Sequence, residues 1–105
     1  MEKNIEISIL LDLYGKLLTE KQHSLLDDYY NKDFSLSEIA ENLGITRQAV
    51  RDNLKKGEVN LYELEEKLSL LKKAKSQEKI LKGILEKVED KSIQKEIKKL
   101  MSNLY

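Results

Sequence analysis

Residues 35 to 56 read SLSEIAENLGITRQAVRDNLKK. Ser35 with Glu38 three residues on is a capping box, which opens a helix by satisfying free backbone amides at both ends of the pair. Leu36, Ile39, Ala40 and Leu43 then share one face at helical spacing. Gly44 stands where that helix should stop, at a position that favours a left-handed residue without a Cβ. Ile45 plugs the turn, and Thr46 can cap a second helix through its hydroxyl. Small Ala40 lets the two helices approach, and Val50 fills the wedge between them. A plain helical hairpin does not need this set at this spacing. The stretch therefore predicts a helix-turn-helix, whose second helix can enter the DNA major groove.

The second helix carries the candidate chemistry. Arg47, Gln48 and Arg51 fall on its outer face, and they are the residue types that clasp guanine and adenine edges. Thr46 and the unpaired amides at the helix start suit a phosphate. Lys55 and Lys56 are placed to touch the backbone without reading sequence. Asp52 is out of place beside phosphates and is expected to pair with Lys55 or Lys56 at helical spacing. Asn53 is expected to bond a neighbouring backbone group. Helix-turn-helix units also serve as RNA and protein contact modules, so the motif alone does not fix the ligand.

Working outward, the chain divides into an N-terminal helix-turn-helix domain over residues 1–57 and a helical extension over 58–105. Its 105 residues contain no proline, four glycines and 36% charged residues, a composition that reads as all-α. A first helix is expected from Glu2 to Leu18, with Ile5, Ile9, Leu13 and Leu17 as its stripe, widened by Leu10 and Tyr14. Thr19 with Gln22 caps a second helix carrying Leu25, Leu26, Tyr29 and Tyr30. Beyond the motif, Val50, Leu54, Gly57, Leu61, Leu64, Leu68 and Leu71 keep one phase through Gly57. That spacing predicts that the reading helix either continues to about Lys75 or bends at Gly57 while keeping its face. Ser76 is a candidate cap for the next helix, and Asp90 or Ser92 for the last. The whole is expected to be a bundle of about six helices. Lys67 would face Lys72 in a parallel zipper, which disfavours that pairing. A homodimer through the Leu61 to Leu104 helices is expected, supplementing the modest core of a short chain.

Several classes are excluded or disfavoured. The chain has no cysteine and one histidine, so disulfides are absent and zinc is disfavoured. No apolar run approaches the roughly 20 residues of a membrane span, and no signal-peptide layout opens the chain. The expected location is the cytoplasm. No catalytic triad, phosphate loop or carboxylate pair appears, so no enzyme and no cofactor are expected. His23 is expected to face solvent or cap a helix, and the tyrosines to pack. The lysine run through Lys95, Lys98 and Lys99 reads by default as a solvated face. Net charge is zero, which weighs against strong non-specific nucleic-acid binding.

The run GKLLTEKQHSLLDDYYNKDFSLSEIAENLGITRQAVRDNLKK resembles the YlxM-like bacterial helix-turn-helix family. The cues are Leu18-Thr19-Glu20-Lys21-Gln22, Tyr29-Tyr30, Ser35-Leu36-Ser37-Glu38-Ile39-Ala40 and Thr46-Arg47-Gln48-Ala49-Val50-Arg51-Asp52-Asn53. The likeness spans roughly Leu10 to Leu71, and its first part is also similar to region 4 of bacterial sigma factors. The resemblance implies an all-helical, dimeric protein with a regulatory role. It further implies a link to the signal recognition particle pathway, inferred from gene order beside the particle's GTPase and its receptor. An accessory protein of that particle, using the motif as a scaffold, is the alternative. Arg51 and Gly57 depart from the family pattern, which often has tyrosine and threonine there.

Overall fold

The computed structural model describes residues 2–105, and helices are the regular structure throughout them. In order they are α1 (Lys3–Tyr14), a 3-10 turn (Gly15–Leu17), α2 (Glu20–Tyr30), α3 (Leu36–Leu43), α4 (Arg47–Leu68), α5 (Leu70–Lys87) and α6 (Lys91–Ser102). They fall into two compact units, Met1–Leu68 and Ser69–Tyr105.

The first unit packs α1, α2 and α3 around α4. Its core is Ile7, Leu10, Leu11, Tyr14, Leu25, Leu26, Ile39, Ala40, Val50, Leu54 and Leu61. The α1 stripe differs from the expected one. Leu10 and Tyr14, which widened the expected stripe, are buried together with Ile7 and Leu11, whereas Ile5 and Leu17 are 51% and 62% exposed. The helical period is as expected, but the phase is not. α1 also stops at Tyr14, and Gly15–Leu17 tightens into the 3-10 turn. There the ring of His23 lies over Gly15, so close that a Cβ would sit 2.6 Å from His23 Cδ2. Thr19 caps α2 by accepting from the Gln22 amide at 3.2 Å.

α4 runs straight through Gly57 for 22 residues. Gly57 is buried, and a Cβ there would lie 2.8 Å from Leu26 Cδ1. The glycine thus serves close approach of α4 to α2 and is not a hinge. Three tyrosine–glutamate bonds fasten the far half of α4. Tyr14 donates to Glu65 at 2.7 Å, Tyr62 donates to Glu6 at 2.7 Å, and Tyr30 donates to Glu58. Glu58 also meets Lys3 at 3.3 Å. Asn60 donates to Gln22 at 3.3 Å. Burial, the Glu58 bond and the Glu58 charge, in that order, push the Tyr30 hydroxyl well above its ordinary range.

α4 does not reach Lys75. It ends at Leu68, because Ser69 adopts the left-handed conformation (φ 56°) and breaks the hydrogen-bond ladder. Ser76 is accordingly an interior residue of α5, not a cap. In the second unit α5 and α6 form a helical hairpin. Asp90 caps α6 by accepting from the Ser92 and Ile93 amides at 2.8 and 3.2 Å. Gln94 donates to the Val88 carbonyl at 2.6 Å beside the loop, and Tyr105 donates to Glu78 at 2.8 Å at the open end. These two bonds lie at opposite ends of α6, and the short connection over 88–90 returns it antiparallel to α5. Leu71, Ala74 and Ile97 are buried, while Ile80, Ile84, Ile93 and Leu100 stay exposed.

Candidate nucleic-acid interface

The junction of α3 and α4 is built by local bonds that the sequence specifies. The Ser35 hydroxyl accepts from the Glu38 amide, and the Glu38 carboxylate accepts from the Ser35 amide, each at 3.0 Å. The bond from the Ser35 amide, and after it the Ser35 side chain, hold the Glu38 carboxyl below its usual range. Gly44 closes α3 in the left-handed region (φ 66°), and the Ile45 amide returns to the Ala40 carbonyl at 3.0 Å. Thr46 Oγ1 then accepts from the Ala49 amide at 3.0 Å and starts α4. The hydroxyl hydrogen of Thr46 is left to donate outward. Val50, fully buried, sets which face of α4 points away from the core.

On that outer face the structure brings four of the six predicted residues into one groove. Thr46, Arg47, Gln48 and Arg51 line an open groove of about 700 Å³ together with Tyr29, Ser35, Leu36 and Ser37. Arg47 and Arg51 are exposed and one helical turn apart. Neither guanidinium meets a carboxylate among the described residues. The groove therefore offers two guanidinium forks, four hydroxyls and the first amides of α4, which is a donor-rich surface suited to phosphates and base edges. Sequence spacing does not point to Tyr29, Ser35 and Ser37 as members of the site. Ser35 reads there only as a cap and Tyr29 only as packing, since their meeting with α4 depends on how α2 and α3 dock.

Lys55 and Lys56 border a second depression of about 500 Å³, with Gln22, Asp52, Val59 and Asn60. Asp52 does not pair with either lysine. It accepts from Gln48 Nε2 at 2.9 Å, one turn earlier on the same helix. One of the two amide hydrogens of Gln48 is thus already engaged. Asn53 is half-buried, and its side chain makes no hydrogen bond among the described residues. Among the described residues no group of three or more His, Asp or Glu is placed to hold a metal ion, and no helix is long and apolar enough to cross a membrane.

The profile of a helix-turn-helix protein family described as "YlxM / p13 like" matches residues 1–101. A UPF0122 protein of Clostridium kluyveri is 51% identical over 86 residues, covering 82% of this chain and 78% of its own length. A UPF0122 protein of Halalkalibacterium halodurans is 43% identical over 104 residues, covering 99% of this chain and 95% of its own. One of Fusobacterium nucleatum is 39% identical over 101 residues, covering 96% and 98%.

Proposed function

Because the chain belongs to the YlxM / p13 like helix-turn-helix family, we propose that it is a cytoplasmic DNA-binding regulatory protein that reads duplex DNA with the start of α4. The observation that carries this reading is the shared groove. Arg47, Gln48, Arg51 and Thr46 lie together on the exposed side of the second helix of the motif. Arg47 and Arg51 read bases, Thr46 and the first amides of α4 hold a phosphate, and Lys55 and Lys56 add backbone contacts.

The experiment is selection of bound duplexes from a random pool, followed by gel shifts on the enriched sequence. Arg47→Ala and Arg51→Ala each reduce affinity for that sequence by about 5- to 150-fold, the worth of one bidentate base contact. Helix content stays unchanged, because both side chains are exposed. Duplex binding that ignores both substitutions refutes the reading. A dimer belongs to it too, since paired helix-turn-helix units read two half-sites and apolar Ile80, Ile84, Ile93 and Leu100 remain exposed. A monomer mass by light scattering at micromolar concentration removes the dimer.

A second reading is favoured by charge. Residues 1–68 carry 14 Asp and Glu against nine Lys and Arg. That excess repels phosphates, and Asp52 adds a carboxylate beside the groove. On this reading the motif is a scaffold for an accessory protein of the signal recognition particle, the association that the family resemblance implies. Co-purification with the particle's protein and RNA supports it, and their absence from affinity-purified complexes sinks it.

A further inference from the structure

The division at Ser69 exposes a charge partition that the neutral total hides. Residues 69–105 carry ten lysines against five Asp and Glu, whereas residues 1–68 have the opposite imbalance. A unit with a net charge of five negatives, which brings only Lys55 and Lys56 to backbone contacts, supplies little of the counterion-release term that makes up much of affinity for DNA. The α5–α6 hairpin can supply more. Within it α6 is the cleaner surface. Lys91, Lys95 and Lys98 fall four and three residues apart on one face, with Lys99 beside them, and all four are exposed. None of the four meets a carboxylate among the described residues. On α5, by contrast, Lys82 is held by Glu78 at 2.8 Å.

Helix stability favours Lys99 in the last turn but does not explain Lys91. Lys91 opens α6, where the macrodipole favours an acid, and the first turn has none. At 1.5 Å per residue the row spans about 10 Å, long enough for its lysines to reach neighbouring phosphates of a duplex. The opposite side of α6 is the apolar one, where Ile97 is buried. The lysine row therefore faces outward.

We infer that the lysine face of α6 is a sequence-independent binding surface for the phosphate backbone of duplex DNA, providing affinity that the helix-turn-helix unit lacks. The inference rests on the DNA-binding reading of the groove. α4 selects the sequence, and α6 holds the polyanion whatever its sequence.

The test uses the full chain and fluorescence anisotropy against two labelled duplexes, one selected and one scrambled, over a range of salt. The triple variant Lys91→Gln, Lys95→Gln, Lys98→Gln keeps helix propensity, and circular dichroism checks its fold. The slope of log affinity against log salt becomes shallower by about 2 to 3, at roughly 0.9 per lost phosphate contact. Affinity falls in the same proportion for both duplexes. The matching triple arginine variant keeps the wild-type slope. An unchanged slope and affinity in the glutamine variant overturn the inference, while loss of selectivity in Arg47→Ala and Arg51→Ala keeps the groove reading alive. The converse result, with lysine dependence but no arginine dependence, upholds the α6 surface and overturns the reading head. Preference for an RNA stem over duplex DNA in competition overturns the assignment to DNA. Wild-type chain that binds no duplex at low salt overturns both.

Discussion

Replacing Gly57 by alanine sets two known effects against each other inside one helix. Alanine in a helix interior is worth about 0.8–1.0 kcal/mol over glycine, so propensity alone stabilises Gly57→Ala. Packing opposes it. The new Cβ would lie 2.8 Å from Leu26 Cδ1 and 3.2 Å from Leu26 Cγ, well inside the usual carbon contact of about 3.5–4.0 Å. Leu26 has no exposed surface, so its side chain cannot turn into solvent. Overpacking of this kind costs about 1–3 kcal/mol. Packing wins, and Gly57→Ala destabilises the first unit by about 1 kcal/mol. The assay is urea unfolding followed by near-ultraviolet circular dichroism. Four of the five tyrosines lie in residues 1–68, so that signal reports the first unit. In the Gly57→Ala background, Leu26→Ala costs less than it does alone, because the new methyl takes up part of the cavity. A Gly57→Ala chain as stable as wild type, with additive behaviour at Leu26, would show that α4 has room to move off α2 and refute the reasoning.

Three further outcomes follow from the same contacts. Gly83 of α5 has nothing within 4 Å of a built Cβ, so Gly83→Ala raises the thermal midpoint of far-ultraviolet unfolding, by roughly 0.5–1 kcal/mol of helix propensity. Ser35→Ala removes the acceptor for the Glu38 amide and lowers stability by about 1 kcal/mol, read as a lower urea midpoint. The Tyr62 hydroxyl is pushed up to about 12 by burial, then by its bond to Glu6 and the negative charges of Glu6 and Glu58. The folded value lies above the unfolded value of about 10, so its stabilising contribution is complete below about pH 10 and is lost as pH rises toward the folded value. Tyrosinate absorbance should therefore appear at higher pH in the native chain than in denaturant, and the urea midpoint should fall across that window.

What is legible in the sequence follows the range of the interactions. The α3–turn–α4 junction rests on contacts three to five residues apart, such as Ser35 with Glu38 and Thr46 with Ala49. Each has a residue signature, so the residues alone place the motif and its caps. They do not place the phase of α1. Seven of its 12 residues are apolar, so more than one stripe at helical spacing fits, and only docking against α2 and α4 selects Ile7, Leu10, Leu11 and Tyr14. The stop at Ser69 is hidden because the leucine spacing runs past it and a left-handed residue is usually marked by glycine or asparagine. The role of Gly57 depends on Leu26, 31 positions away, and no local pattern announces it. The groove is half legible. Its α4 side follows from helical geometry, and its Tyr29 side is a product of tertiary packing.

The groove also separates shape from chemistry. Gln48 would clasp adenine through one amide hydrogen and its carbonyl oxygen, and one of its two amide hydrogens already goes to Asp52. The other hydrogen and the oxygen remain, so the pair can act only in the orientation that Asp52 leaves open. The carboxylate thereby limits the rotamers of Gln48 and keeps negative charge near the arginines. Arg47 and Arg51, with no carboxylate partner among the described residues, keep their donor forks available. On a unit with an excess of acids, those two forks can choose a sequence, but they cannot by themselves hold a polyanion against salt. On the proposed DNA-binding reading, affinity beyond what α4 supplies through Arg47, Arg51, Lys55 and Lys56 has to come from elsewhere, and the α5–α6 unit is where the chain keeps its surplus positive charge.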